Sequence, residues 1–511
     1  MTGKRHSMRS GRSGRDAIRT LRAQPPVIDP CPVGTTGGDY QPLSQHEMES
    51  IFDTAVKVLE QIGMDNSASD LTDRALQAGA HLSDAGRLCF PRSMIEDVVA
   101  TACQSFVFFG RDPKHDIEVG GSRVYFGTGG AAVQTMDLES GSYRPSTIKD
   151  LYDFTRLADT LKNISWFTRC CVATDIPNNF DLDINTAYAL LKGTTKPVGT
   201  SFFAGDHVDP AVRMFDLVLG GEGEFRKRPF CKAHISPVVS PLRYGEDAVF
   251  VAIAAMRNRM PLNCIIAAQS GATAPAAPAG MLVSTLAETL AALIMVNVFE
   301  SGYPMIFSNW PFVIDLRTGA FAGSGGEISV LNAAAAQITN WLGLPSGVAS
   351  SMADAKAVDA QMGFEKGISA TATGLAGGNL IYESSGMMAS LLGVSFEAFV
   401  IDDEMLCHVY RLMRGIEVNE ETMGFEAIRE AVFGEGHFLG GQHTMAAMER
   451  DYYYPAHSNR QDPDSWMEDG KQTIREKANA HVRKVLADHH PDYIDSRVDA
   501  QLRRQFNIVL H

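Results

Sequence analysis

The chain has 511 residues, 45% of them hydrophobic and 21% charged, enough apolar material for a large core and too much for a disordered chain. Lys and Arg number 45 against 60 Asp and Glu, a net charge of -15, the wrong sign for a protein that lives on nucleic acid or an anionic membrane. The longest apolar stretch, residues 281–299, is interrupted by Ser284, Thr285, Glu288 and Asn297, which argues against a membrane span.

Residues 1–39 begin with a basic arm (Lys4, Arg5, Arg9, Arg12, Arg15, Arg19, Arg22) and continue into a Pro/Gly segment. The arm lacks the apolar run of a secretory signal and reads as a solvated, disordered extension with a linker. Ser44 and Glu47 form a capping box, and Met48, Ile51, Ala55, Val58, Leu59 and Ile62 share one helical face, so the ordered fold starts here. Residues 40–162 mix helices with short strands such as Val124-Tyr125-Phe126 and predict an N-terminal α+β subdomain.

From 163 to 414 the pattern changes to short β-branched and aromatic runs, each followed by a helical segment. The runs are 164–172, 198–203, 230–236, 263–269, 304–310, 347–351, 379–383 and 398–401. Between the fifth and sixth lies a helix with a second capping box at Ser324 and Glu327. Continuously apolar strands alternating with helices predict a parallel sheet buried on both faces. Eight units in this length predict a (β/α)8 TIM barrel, an α/β fold, and no glycine fingerprint favours a doubly wound sheet instead. Residues 415–511 predict a C-terminal extension that wraps the barrel.

Barrel sites form at the C-terminal strand ends. Those ends carry Phe203, His234, Gln269, Asn309, Trp310, Ser351, Asp354, Tyr382, Glu383, Asp402 and Asp403. Acids, amides and aromatics suit a cation, and a quaternary ammonium is held by aromatic faces and nearby carboxylates. Trp310, Phe203 and Tyr382 are the candidate faces, and Glu383, Asp402 or Asp403 the compensating charge. Glu383 and Asp354 are the expected catalytic acids, with Ser351 and Asp402 on the substrate. The alternative keeps the aromatics as core and makes Asp402 and Asp403 the cap of a following helix.

Eight cysteines without a CxxC pair predict reduced, buried thiols in a cytoplasmic protein. His437 and His443 are six residues apart, a spacing that fits neither HExxH nor a finger, and no metal site is expected. There is no GxSxG elbow, and the glycine-rich stretches at 319–326 and 374–378 lack a Walker lysine.

Residues 327–332, Ala353-Asp354-Ala355-Lys356 with Asp359-Ala360-Gln361, residues 375–380, Arg414 to Asn419, and Gly436-His437-Phe438-Leu439-Gly440 with His443-Thr444 together resemble the trimethylamine methyltransferase (MttB-type) family. The resemblance runs from about residue 40 to 490. It implies a (β/α)8 protein that moves a methyl group from a methylated amine to the Co(I) corrinoid of a separate protein, with no metal of its own and with a homo-oligomeric state. Archaeal members carry pyrrolysine in the segment matching residues 350–356, which here holds only ordinary residues. The chain is therefore similar to the relatives lacking pyrrolysine, which act on glycine betaine, carnitine or proline betaine. For such a substrate, the carboxylate would need donors, and His234, Gln269 and Asn309 are the rim residues that could give them. A lyase or aldolase using Glu383, Asp402 and His234, and a non-catalytic betaine-binding barrel, remain the alternative readings.

Overall fold

A computed structural model describes residues 28–510. The basic arm lies outside the described residues.

Eight parallel strands close into a barrel. In chain order they are β1 (Tyr125–Gly127), β2 (Ile164–Thr168), β3 (Val198–Thr200), β4 (Cys231–Ile235), β5 (Leu262–Ile266), β6 (Met305–Asn309), β7 (Ser346–Ala349) and β8 (Leu380–Tyr382). Each pairs with the next, and β8 pairs back onto β1 through Leu380 opposite Tyr125 and Ile381 opposite Phe126. Every residue of β2, β5 and β6 is buried, as a parallel strand covered on both faces must be. The connecting helices are α1 (Ile148–Thr160), α2 (Asn179–Gly193), α3 (Val208–Leu219), α4 (Glu246–Arg257), α5 (Pro278–Phe299), α6 (Gly326–Trp341), α7 (Ala360–Leu375) and α8 (Phe396–Met413).

Seven of the eight expected strands are barrel strands, and the eighth is corrected. Residues 398–401 belong to α8, and the closing strand is β1, inside the segment read as N-terminal subdomain. Four apolar residues in a row look alike in a buried helix and a strand, whereas β1 is only three residues long. Between β8 and α8 a hairpin pairs Met387–Met388 with Gly393–Ser395.

The capping box at Ser44 forms on helix Gln45–Gln61. The one expected at Ser324 does not: Gly325 caps α6, and the Ser324 hydroxyl donates to Asp354 Oδ2 at 3.1 Å. Helix α5 is 22 residues long and apolar enough to cross a membrane by length and composition, yet its most apolar window is 72% buried inside the protein. It packs against β5, β6 and Gln45–Gln61, as a core helix does.

By its contacts the chain divides into two compact units, one of residues 33–413 with 455–511, the other of 414–454 with the segment before residue 33. Within the first, residues 455–511 are tied to the barrel's helices. Arg156 on α1 donates to the carbonyls of Leu486 and His489 at 2.9 and 2.7 Å, and the Glu404 carboxylate on α8 accepts the backbone N–H groups of His457 and Ser458 at 2.6 and 2.7 Å. The second unit holds helices Glu420–Met423, Phe425–Phe433 and Gln442–Arg450. Arg414 there donates to the Arg450 carbonyl at 2.6 Å.

Candidate active site

At the C-terminal ends of the strands lies a cavity of about 550 Å³, lined by Arg169, Phe203, His234, Trp310, Glu383 and Gly130 among others. Two of its lining rings, Trp310 and His234, pack onto a buried aromatic cluster. Tyr382, the last residue of β8, has its ring 4.4 Å from that of Trp166, 5.1 Å from Trp310 and 5.6 Å from His234, centroid to centroid. Trp166 can lie across the barrel because β1 ends in Gly127, where a Cβ would stand 2.2 Å from the indole.

Glu383 follows directly on β8 in a left-handed conformation, φ 64°. A non-glycine residue in that region costs free energy, and such strain gathers at functional sites. Its carboxylate is buried, and neither oxygen has a hydrogen-bond partner among the described residues. The loop after β1 makes room for it, since a Cβ on Gly129 would come within 3.0 Å of Oε1 and one on Gly130 within 2.7 Å of Oε2. Burial pushes the Glu383 carboxyl up to about 8, against the pull of Lys366. Among the described residues, eight of the twelve buried side-chain N and O atoms without a partner belong to Trp166, Asn309, Trp310, Tyr382, Glu383 and Ser385. Each unmet group costs about 1–3 kcal/mol, so their gathering at one end of the barrel locates the place built for something other than folding.

His234 on β4 has a fixed tautomer. Asn263 Oδ1 accepts from the Ser308 hydroxyl, so the amide Nδ2 donates to His234 Nδ1 at 2.9 Å and the ring proton is left on Nε2. Burial, with Lys232 and Arg169 adding to it, holds the ring well below its usual range and therefore neutral. Two residues earlier on the same strand, Lys232 is buried within the barrel. Its ammonium donates to Thr168 Oγ1 at 2.5 Å and sits 4.7 and 4.8 Å from the ring centroids of Trp166 and Tyr382. Burial lowers it to about 7.

Of the residues expected at the site, Phe203, His234, Trp310 and Glu383 line the cavity, Tyr382 packs against two of them, and Asn309 ends β6 with its amide unpartnered. Four expectations are corrected. Asp354 is a staple, its carboxylate accepting Gly323 N–H at 2.7 Å and the hydroxyls of Ser324 and Ser390 at 3.1 and 2.6 Å. Ser351 is locked to α7, its N–H donating to Ser369 Oγ at 2.8 Å and its carbonyl accepting from Lys366 at 2.8 Å. Gln269 is not among the residues that line the cavity, and its backbone carbonyl accepts the N–H groups of Ala272, Thr273 and Ala274 in a turn. Asp402 lies inside α8 in a buried ion pair with Lys366 at 3.0 Å and also accepts Gly386 N–H at 2.7 Å. Asp403 likewise takes Asn163 N–H at 2.7 Å. Neither acid is a helix cap, and neither faces the cavity.

Sequence reasoning missed Arg169, Lys232, Trp166 and the Gly129-Gly130 shoulder. Arg169 was hidden because the expected strand ran to residue 172; β2 stops at Thr168, and the strand-end rule applied there finds it. Lys232 carried a signal too, being a lysine inside an apolar run and two residues from His234.

His437 and His443 stand in the second unit. His443 Nε2 lies 3.1 Å from the Glu421 carbonyl, and His437 Nε2 lies 3.3 Å from Glu435. Among the described residues no three His, Cys, Asp or Glu side chains come together as a metal site.

A cation bound beside Glu383 would draw its carboxyl back toward ionisation. Binding of tetramethylammonium at pH 7 should therefore release close to one proton, and affinity should rise with pH until about 8 and level off above it. Calorimetry in buffers of different ionisation enthalpy measures this. Binding without proton release at pH 7 would place the cation away from Glu383.

A closed parallel barrel with its cavity at the C-terminal strand ends has the architecture on which barrel enzymes place their chemistry. The sequence also matches the model of one family, trimethylamine methyltransferase (MTTB), over residues 8–507, and the chain belongs to that family. It is 26% identical over 465 residues to a glycine betaine methyltransferase of Desulfitobacterium hafniense (strain Y51), covering 91% of this chain and 96% of the relative. It is 28% identical over 464 residues to the trimethylamine methyltransferase MttB of D. hafniense (strain DSM 10664 / DCB-2), covering 90% and 92%. Among solved structures, the monomethylamine methyltransferase MtmB of Methanosarcina barkeri matches with a TM-score of 0.45 at 13% identity, over 90% of this chain and 96% of that one.

Proposed function

We propose that this protein transfers a methyl group from a quaternary ammonium compound, a betaine in preference to trimethylamine, to the Co(I) corrinoid of a separate protein. The observation that carries this reading is Glu383: a buried carboxylate with two unpartnered oxygens, set beside the Tyr382 and Trp310 rings at an open barrel mouth. An aromatic surface next to an unmatched acid is a receptor for a methylated ammonium, whose charge is covered by carbon and cannot be met by hydrogen bonds.

The chemistry asks little more of the chain. Co(I) attacks the methyl carbon, the carbon–nitrogen bond breaks with its electron pair remaining on nitrogen, and the two electrons of the new bond come from cobalt, giving methyl-Co(III). The amine leaves neutral, so no acid has to protonate it and no base has to activate the nucleophile. The chain's own residues orient the ammonium, exclude water and balance charge. Glu383 is suited to this role, because its negative charge stabilises the substrate cation and its raised pKa lets it take up a proton once the neutral product remains. The lyase reading loses support from the ion pairing of Asp402 with Lys366, which keeps that carboxylate out of the cavity.

The test is incubation with a Co(I) corrinoid protein and a panel of glycine betaine, carnitine, proline betaine and trimethylamine, followed by absorbance. The expected result is the Co(I) to methyl-Co(III) change with a betaine and little or none with trimethylamine. Binding of these compounds without any methyl-Co(III) would favour a non-catalytic betaine-binding barrel, and no binding of any would overturn the ammonium reading.

A further inference from the structure

The cavity that contains an unmatched acid also contains an unmatched base. Arg169 is the first residue after β2, its backbone fixed by an N–H to the Gly199 carbonyl at 3.1 Å. Its side chain lines the cavity and makes no hydrogen bond or ion pair among the described residues. The carboxylate that acts on it electrostatically is Asp183, and that group is already engaged: Oδ2 accepts the Phe203 N–H at 2.8 Å and lies 2.7 Å from His207 Nδ1. A guanidinium carries five N–H donors in a rigid fork that matches a carboxylate. Leaving it half-buried without an anion is unfavourable.

We propose that Arg169 binds the carboxylate of the substrate and is the residue that makes the site select a zwitterionic betaine over a bare methylated ammonium. The proposal rests on the ammonium reading above and deepens it. It also replaces the donors expected from sequence. Gln269 and Asn309 are not among the residues that line the cavity, and His234 offers a single N–H where Arg169 offers a bidentate fork. The pairing of Arg169 and Glu383 in one cavity works by exclusion as well as attraction. A bare cation leaves the guanidinium unmatched and adds a like charge beside it, a simple anion does the same to Glu383, and only a molecule with both charges satisfies both groups.

Titration calorimetry with three probes tests this without a corrinoid protein. Glycine betaine carries both charges, tetramethylammonium only the cation, and 3,3-dimethylbutanoate only the carboxylate on the same carbon frame. The Arg169→Gln variant is expected to lose about tenfold or more in affinity for glycine betaine and 3,3-dimethylbutanoate, while tetramethylammonium binds as well as before or more tightly. Arg169→Lys, which keeps the charge and loses the fork, should fall between. Unchanged glycine betaine affinity in folded Arg169→Gln, an equal loss for all three probes, or a wild type that binds none of them overturns the proposal. A wild type that binds 3,3-dimethylbutanoate through Arg169 but not tetramethylammonium would keep Arg169 as a carboxylate site and remove the ammonium reading, so the two can fail separately.

Discussion

Replacing Glu383 by Gln is expected to remove most of the affinity for a quaternary ammonium and at the same time make the protein more stable. Removing one member of a buried, desolvated charge pair costs about 2–5 kcal/mol of binding, thirtyfold or more. The loss should be larger at pH 9 than at pH 7, because below about 8 the wild type must first give up a proton, at about 1.4 kcal/mol per pH unit. The stability effect has the opposite sign. The folded carboxyl is raised to about 8 from an ordinary value of 4.5, so the folded state holds a proton that the unfolded state gives up between those values. Wild-type stability therefore falls as pH rises from 4.5 to about 8 and stays low above it. Gln mimics the neutral acid, and at pH 7 the variant should gain roughly 3 kcal/mol as an upper bound. Calorimetric titration and denaturant unfolding read the two effects. If Glu383 were a packing element, the variant would instead lose stability and the folded fraction would keep its affinity.

The second large effect is structural. Lys366 on α7 and Asp402 on α8 form an ion pair at 3.0 Å with both side chains about 1% exposed. The ammonium also donates to the Ser351 carbonyl at 2.8 Å, and the carboxylate accepts the Gly386 N–H at 2.7 Å. One pair thus ties the loop after β7, two helices and the turn after β8 behind Glu383. Lys366→Met leaves a buried carboxylate without its cation and should cost about 3–5 kcal/mol in urea unfolding. The Lys366→Met/Asp402→Leu double variant should recover much of that, since an apolar replacement of a whole buried pair is often neutral. A single variant within 1 kcal/mol of wild type would show that the pair does not hold this end of the barrel. Lys366 also draws the Glu383 carboxyl down, so its loss should move the pH dependence of ammonium binding upward.

The barrel was legible because a parallel strand covered on both faces is buried throughout, and within 164–172, 198–203 and 304–310 the strand residues are apolar or small and polar, as Ser165, Thr168, Thr200, Ser308 and Asn309 are. Its closure was not. Residues 398–401 are as apolar as a strand because one turn of α8 is buried all round, and β1 is too short to carry a period. The site was legible where chemistry stands at a strand end, as with His234, Trp310, Tyr382 and Glu383. It was illegible where a side chain's role is set by a partner distant in sequence. Asp402 reads as a free acid until Lys366 is placed 3.0 Å away, and Asp354 until Gly323 and Ser390 close on it. Arg169 was lost to a four-residue error in where one strand stops. The family resemblance read from motifs such as residues 353–361 agrees with the family match over residues 8–507.

The central claim is that this barrel mouth holds a methylated ammonium between the aromatic rings and Glu383. A crystal structure with glycine betaine bound tests it most directly. The account predicts the trimethylammonium group against the Tyr382 and Trp310 rings, with a Glu383 oxygen as its nearest charge and one methyl directed to the open mouth. Glycine betaine bound elsewhere, or in this cavity with its methyl groups turned away from Glu383, would contradict it.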